Sequence, residues 1–142
     1  GFVVASPATL VTLGDLTIRA TFAIPNGGDD LTHVGYIVRV QDGPTVYFTG
    51  DTSYAEILGI AAAEHKPDIL VAVINGGFLN MGPEQAARLA KQLNPKVVIP
   101  CHHDLFRDNL QYPQLLRSNL KMFGLGDAYK SLEHGVAFVF TR

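Results

Sequence analysis

The fold is decided by residues 69–104, which read ILVAVINGGFLNMGPEQAARLAKQLNPKVVIPCHHD. The first six residues form a continuous apolar run, which is typical of a strand buried on both faces. Residues 84–93 predict a helix, since Pro83 suits its first turn and four apolar residues repeat at helical spacing: Ala86, Leu89, Ala90 and Leu93. Pro95 ends this helix, and residues 96–99 predict a second short buried strand. The stretch is therefore a β-α-β unit.

The flanking sequence extends this unit on both sides. Upstream, β-branched and aromatic runs predict strands joined by turn residues, and downstream the apolar spacing predicts a further helix and strand. The predicted strands are residues 9–13, 16–24, 34–40, 45–49 and 136–140, the predicted helices are 54–65 and 113–123, and residues 25–30 are a loop by composition. On the first helix we expect Ile57, Ile60 and Ala61 to share one face, and on the second Leu115, Leu116, Leu120 and Phe123 to point inward.

Composition restricts the class of protein. The 142 residues are 47% hydrophobic and 17% charged, with a formal net charge of −2, which fits one globular unit and argues against disorder. The charged residues form no basic cluster, so we expect neither nucleic acid nor a membrane surface as a partner. The single cysteine excludes an internal disulfide. No apolar run reaches the 18 residues that are typical of a membrane-spanning helix. We expect a cytoplasmic protein.

Three polar segments follow predicted strands, and the first is Gly50-Asp51-Thr52. Glycine permits a sharp turn, and a carboxylate placed there projects from the strand end. The alternative is structural, because Asp51, Thr52 or Ser53 also suits the N-cap of the helix that follows.

The second segment is Asn75-Gly76-Gly77. Two adjacent glycines allow a ligand to approach closely, or they simply make a tight loop. The segment lacks the Gly-Lys-Ser/Thr that completes a phosphate-binding loop, so that class of site is not indicated.

The third segment, residues 100–104, contains His102 and His103 directly after a buried strand. Imidazole is a common ligand of zinc, manganese and iron. Neighbouring side chains point in opposite directions along an extended chain, so we expect at most one direct ligand, with the other either supporting the ligands from behind or facing the substrate. The alternative is a surface histidine pair. Cys101 reads as a small buried apolar residue.

The stretches HVGYIVRVQDGPTVYFTGDTSY (33–54) and DILVAVINGGFLNMGPEQAARLAKQLNPKVVIPCHHDLF (68–106) together resemble the metallo-β-lactamase superfamily. The resemblance is to the branch that contains L-ascorbate-6-phosphate lactonase. It rests on Gly-Asp-Thr after a Tyr-Phe strand, on the Met-Gly-Pro-Glu-Gln-Ala helix start and, most of all, on KVVIPCHHDLF. It covers roughly residues 9–123.

The resemblance implies an α+β chain that forms half of a four-layer αββα sandwich, with two divalent metal ions at one edge of the sheets. Manganese or zinc is expected, with iron as a further option. Asp51 would match the metal-bridging aspartate and His102 the last metal-binding histidine, both catalytic. A hydroxide held between the ions would attack a lactone or ester, such as a phosphorylated sugar lactone. The expected substrate-binding residues are His103, Asn75, Asn80 and Arg107.

The family's His-x-His-x-Asp-His motif is not found in these 142 residues. We therefore expect residues 1–142 to be the C-terminal portion of the fold, completed by a companion N-terminal fragment that carries the other metal ligands. The partners would be that fragment and a small-molecule substrate, with homo-oligomerisation left open. Two alternatives remain: a non-catalytic interaction module with an incomplete metal site, and a phosphodiesterase or nuclease of the same superfamily.

Overall fold

The computed structural model describes residues 1–24 and 32–141. Strands come first along the chain, and helices alternate with strands after residue 55. The elements are β1 (Leu10–Leu13), β2 (Leu16–Phe22), β3 (Val34–Val40), β4 (Thr45–Phe48), α1 (Glu56–Ala63), β5 (Ile69–Val73), α2 (Pro83–Leu93), β6 (Val97–Cys101) and α3 (Pro113–Met122), with short 3-10 helices at Arg107–Asn109 and Gly126–Ala128. The predicted loop at residues 25–30 lies outside the described residues.

The six strands form one mixed sheet in chain order, β1 to β6. Neighbouring strands among the first four are antiparallel, and tight turns at residues 14–15 and 41–44 join β1 to β2 and β3 to β4. The strands β4, β5 and β6 are parallel, because α1 and α2 carry the chain back to the same end of the sheet. The C-terminal ends of these three strands therefore share one edge.

All three helices lie against one face of the sheet. Tyr47, Leu70 and Val98 project from the strands into this layer, where they are almost completely buried. They meet the buried faces of the helices, which include Leu58, Leu89 and Leu116. Burial of this apolar surface is the main force that holds the helices on the sheet. This arrangement confirms the expected α+β fold class.

The opposite face of the sheet is also apolar. Side chains alternate between faces along a strand, and the register of the sheet brings apolar residues of five neighbouring strands to this side. These residues, called here the open face, are Ile18, Val38, Val46, Phe48, Val71 and Ile99. Phe48 is 40% exposed, and the described helices all pack on the other side.

The structure corrects the predicted face of α1. Ile57 and Ile60 are exposed, whereas Leu58 and Ala62 are buried. Gly59 explains the difference, because a Cβ placed there would lie 2.0 Å from Gln92 Oε1 of α2. The helix thus turns its glycine toward α2, and that close approach selects the buried face.

Two predictions nearer the C-terminus are also wrong. Residues 136–140 form no strand, and Val139 is 79% exposed; the described tail pairs with the sheet only through an isolated bridge from Tyr129 to Val98. In α3, Leu116 and Leu120 are fully buried as expected, but Leu115 is 47% exposed. Helix α3 packs between α2 and the second 3-10 helix, and Leu115 lies at the edge of these contacts.

Within the described residues no helix has the length and apolar character needed to cross a bilayer.

Candidate functional site

Polar residues follow each of the three parallel strands, at the edge where their C-terminal ends meet. Asp51 lies three residues after β4, Asn75 two residues after β5, and His102 directly after β6. In open sheets of this kind, ligands bind beyond the carboxyl ends of parallel strands. The topology therefore brings all three segments selected from the sequence to one edge.

The Asp51 and His102 side chains meet there. His102 Nε2 lies 3.6 Å from Asp51 Oδ2, and both side chains remain partly accessible, with exposed fractions of 32% and 48%. The two residues are far apart in sequence, so only the parallel pairing of β4, β5 and β6 joins them. A carboxylate oxygen and an imidazole nitrogen at this separation form the beginning of a metal-ligand set for zinc, manganese or iron.

Gly50 and two buried threonines position Asp51. Gly50 has a φ of +63°, and a Cβ there would lie 2.4 Å from the Val34 carbonyl oxygen, so only glycine fits this turn. Thr49 Oγ1 accepts a hydrogen bond from the Val73 amide at 3.1 Å. On the other side of Asp51, Thr52 Oγ1 accepts one from the Ile24 amide at 2.8 Å. The backbone that carries Asp51 is therefore held on both sides.

The alternative role of this segment as a helix cap is wrong. Helix α1 begins at Glu56, its N-cap is Ala55, and no side chain caps it. Asp51 is consequently not engaged by the helix. Its carboxylate is directed to the strand edge and to His102.

His102 has an unusual backbone conformation, with a φ of +55°. Non-glycine residues rarely occupy this left-handed region, and those that do cluster at functional sites. This conformation takes the chain out of the extended geometry at the end of β6. The His102 Nδ1 atom is buried and has no hydrogen-bond partner among the described residues.

His103 differs from its neighbour in its surroundings. Its Nδ1 atom lies 4.0 Å from Asp104 Oδ2, which is beyond hydrogen-bond reach, and this nitrogen has no hydrogen-bond partner among the described residues. The His103 carbonyl accepts a hydrogen bond from the Gln111 amide at 2.8 Å, which ties the loop to the start of α3. His103 is held beside the Asp51–His102 pair, but its imidazole is not part of that pair.

Cys101 is unsuited to nucleophilic chemistry. Burial raises the pKa of its thiol to about 11, and the negative charge of Asp51 acts in the same direction. The thiol is therefore protonated near neutral pH, and the thiolate is the reactive form. This agrees with the interpretation of Cys101 as a small, largely apolar residue.

A cavity of about 440 Å³ adjoins the histidines. Val71 and Ile99 of the open face line it, together with His102 and His103. The tail contributes His134 and Glu133 to the same lining. A lone histidine in a Glu-His-Gly turn has no local signature in the sequence, and only the path of the tail brings His134 to this cavity.

The expected substrate-binding residues are distributed unevenly. Asn75 and Asn80 are both buried, whereas Arg107 is exposed at the start of the first 3-10 helix. The loop that carries Asn80 is attached to the Asp51 turn, since the Met81 amide donates to the Thr52 carbonyl at 2.9 Å. Asn75 lies beside the His102 segment, because the Ile74 amide donates to the Cys101 carbonyl at 3.2 Å.

The sequence did not single out Asn109. Its side chain is 6% exposed, and its Oδ1 atom faces Gly77, in the loop that follows Asn75. An asparagine in the polar stretch after His103 has no distinguishing pattern in sequence. Its burial next to a Gly-Gly loop is visible only in three dimensions.

The pair Asp51 and His102 is not a complete metal site. Across residues 1–24 and 32–141, no group of three or more His, Cys, Asp or Glu side chains could hold a metal ion. A catalytic metal generally needs three protein ligands and an open position. The two donors that are present fit such a site in chemical type, and they lie 3.6 Å apart.

Comparison with known proteins identifies a family profile, described as the beta-lactamase superfamily domain, that matches residues 3–102. A UPF0173 metal-dependent hydrolase of Myxococcus xanthus is 38% identical over 88 residues, which are 62% of this chain and 31% of that protein. Another, from Herpetosiphon aurantiacus, is 33% identical over 106 residues, or 75% of this chain and 44% of that protein. The chain thus spans less than half the length of these curated relatives.

Solved structures give the same picture of the fold. Igni18, a metallo hydrolase from Ignicoccus hospitalis, superposes with a TM-score of 0.79 at 27% identity, over 96% of this chain and 60% of that one. The metallo-β-lactamase fold protein YhfI from Bacillus subtilis has a TM-score of 0.72 at 20% identity, over 93% of this chain and 53% of that one. At this lower identity the likeness concerns the fold alone.

Proposed function

This chain belongs to the beta-lactamase superfamily domain family, and on that premise we propose that it is the part of a metal-dependent hydrolase that supplies Asp51 and His102 to the metal centre. One observation carries the proposal: the 3.6 Å approach of Asp51 Oδ2 to His102 Nε2 at the shared end of three parallel strands. The names of the curated relatives, which are metal-dependent hydrolases, support it.

Asp51 and His102 have distinct roles in this proposal. The Asp51 carboxylate has two oxygens and can bridge two divalent ions, whereas the His102 imidazole binds one ion through a ring nitrogen. Manganese or zinc suits these donors, and iron is a further option. Metal ions bound there would lower the pKa of water and polarise a substrate carbonyl. The turn around Gly50 and the left-handed backbone of His102 hold the two donors in position without help from the substrate.

The proposed substrate is a lactone or ester, such as a phosphorylated sugar lactone. His103 lines the cavity next to His102 and is placed to contact the substrate. Asn75 and Asn80 provide amide groups near the same edge. Arg107 provides an exposed guanidinium on the neighbouring 3-10 helix, which suits a phosphate group that remains partly in solvent.

The remaining metal ligands are proposed to come from a companion N-terminal segment that covers the open face. An apolar sheet face with an accessible Phe48 is normally covered by a second layer. A segment packed there can reach the strand edge that carries Asp51 and His102, because Phe48 ends β4 and Ile99 lies two residues before the end of β6. The length of the solved relatives supports this view, since this chain spans 60% of Igni18 and 53% of YhfI.

Substitution of Asp51 tests the proposed metal role. The Asp51→Ala variant, expressed from the complete reading frame, should lose most of its bound manganese or zinc and its lactone hydrolysis, because one bridging donor is gone. Metal content is measured by elemental mass spectrometry and turnover with a chromogenic ester. The control is Asp127→Ala, an exposed aspartate in the second 3-10 helix. Metal content and turnover equal to those of the wild type would reject the assignment.

Two other functions make different predictions. The incomplete ligand set within the described residues favours a non-catalytic interaction module, and the shared Asp and His positions also suit a phosphodiesterase or nuclease. Intact-mass analysis of the native protein detects a longer or second polypeptide that completes the site. If the native protein contains neither such a polypeptide nor bound metal, the result favours the interaction module. Hydrolysis of bis-p-nitrophenyl phosphate in preference to esters would favour the phosphodiesterase.

A further inference from the structure

Two buried carboxamides lie beside Gly77 with polar atoms that the fold does not use. Asn75 is 5% exposed and Asn109 is 6% exposed. Among the described residues, neither side-chain polar atom of Asn75 has a hydrogen-bond partner, and neither does Asn109 Oδ1. Buried polar groups are normally paired, because desolvation without a hydrogen bond is unfavourable. Three such atoms in one place indicate a site that binds a polar group.

The absent side chain of Gly77 creates space between these amides. A Cβ built on Gly77 would lie 3.3 Å from Asn109 Oδ1, 3.7 Å from Asn75 Nδ2 and 3.8 Å from the Asp108 carbonyl oxygen. These distances show that two acceptors and one donor surround the same side of Gly77, so a polar group that enters between the amides, clear of the Gly77 backbone, meets all three. A hydroxyl group donates one hydrogen bond and accepts others, so it matches this arrangement. A phosphate or carboxylate oxygen only accepts, and the two facing acceptors disfavour it.

This space, called here the Gly77 cradle, adjoins the proposed metal site. Asn75 follows the strand β5, whose last residue, Val73, pairs with Cys101 immediately before His102. Asn109 belongs to the segment that begins at His103, and the Gln111 amide returns to the His103 carbonyl at 2.8 Å. The cradle therefore lies between the segment that follows β5 and the segment that follows β6.

We propose that Asn75, Gly77 and Asn109 form a subsite that binds a hydroxyl group of the substrate, next to the carbonyl that is hydrolysed. The inference rests on the proposed hydrolase function and narrows its substrate class to hydroxylated lactones or esters. It adds Asn109 and Gly77 to the residues that determine specificity. The side chains of Asn75 and Asn109 select the substrate through hydrogen bonds, and Gly77 leaves the room for it.

A pair of lactones that differ in one hydroxyl tests the subsite by activity. The probes are α-hydroxy-γ-butyrolactone and γ-butyrolactone, used with the metal-loaded protein expressed from its complete reading frame. The wild type should favour the hydroxylated lactone in kcat/KM by roughly tenfold, the worth of about one hydrogen bond. Gly77→Ala, which fills the cradle, and Asn109→Ala should each lose this preference while retaining turnover of γ-butyrolactone.

The control variant is Gly82→Ala, in the same loop, where the nearest atom to an added Cβ is Gly76 Cα at 4.0 Å. It should retain the preference of the wild type. Equal losses on both lactones in Gly77→Ala and Asn109→Ala would mean that these residues only support the fold, and the subsite would be rejected.

A binding measurement separates the subsite from the proposed catalysis. The side-chain NH₂ signals of Asn75 and Asn109 in ¹⁵N NMR spectra should shift with α-hydroxy-γ-butyrolactone, should not shift with γ-butyrolactone, and should lose the response in Gly77→Ala. If neither lactone shifts them, as expected for a cradle that holds only a structural water, or if both do so equally, the subsite is rejected. A hydroxyl-dependent shift without turnover or bound metal would reject the hydrolase function and leave the subsite intact.

Discussion

Replacement of Gly50 by alanine should destabilise the turn that presents Asp51. The left-handed φ of +63° costs an L-residue about 1–2 kcal/mol. The new Cβ would also lie 2.4 Å from the Val34 carbonyl oxygen, a backbone atom that cannot rotate away, and such overpacking costs about 1–3 kcal/mol. The free energy of unfolding should therefore fall by about 2–5 kcal/mol in total.

Gly14→Ala is the matched control for this experiment. Gly14 has a similar φ of +56°, but no atom lies within 4 Å of an added Cβ, so only the conformational cost of about 1–2 kcal/mol applies. Urea unfolding of both variants, followed by circular dichroism, gives the two losses from the shift of the transition midpoint. Equal losses in the two variants would refute the argument that contact with Val34 restricts position 50 to glycine.

Two further predictions concern the core and the pH dependence of stability. Leu116→Ala should lower the free energy of unfolding by about 2–5 kcal/mol, because it leaves a cavity at a fully buried position. Leu115 is half exposed, so Leu115→Ala should change the free energy of unfolding by no more than about 1 kcal/mol. Similar urea midpoints for the two variants would contradict the buried face assigned to α3. Burial lowers the pKa of His65 below its ordinary value of 6.5 in the folded protein. As the pH falls below 6.5, His65 therefore becomes protonated more readily in the unfolded state than in the folded state. The free energy of unfolding consequently decreases as the pH drops. His65→Gln should therefore lose less stability than the wild type between about pH 8 and about pH 5, and parallel losses would contradict this reasoning.

Much of the candidate site could be predicted because it depends on chain connectivity. Asp51 and His102 each follow an apolar run that reads as a buried strand, and the helices between these runs imply parallel strands. Parallel strands place their C-terminal ends together, so a close approach of the two side chains follows before any contact is known. The observed separation of 3.6 Å agrees with that expectation.

Other features depend on contacts between elements, which local patterns do not report. The spacing of isoleucines in α1 indicated one buried face, but the approach of Gly59 to Gln92 selects another. Asn109 and His134 carry no distinguishing motif. Their positions are set by how the segments after β6 and α3 fold back against the rest of the chain.

Local sequence patterns predict a sheet covered by helices, of the α/β or layered α+β class, the order of nearly all strands and helices, and the strand-end segments that contain Asp51, Asn75 and His102. These properties follow from hydrophobic periodicity and from turn residues, which act over a few neighbours in the chain. Contacts between elements set which helix faces are buried, prevent the last predicted strand from forming, and bring Asn75 and Asn109 together at Gly77. Those outcomes depend on contacts between residues that are dozens of positions apart in the sequence. A side chain is buried only when the surface that covers it is also in place.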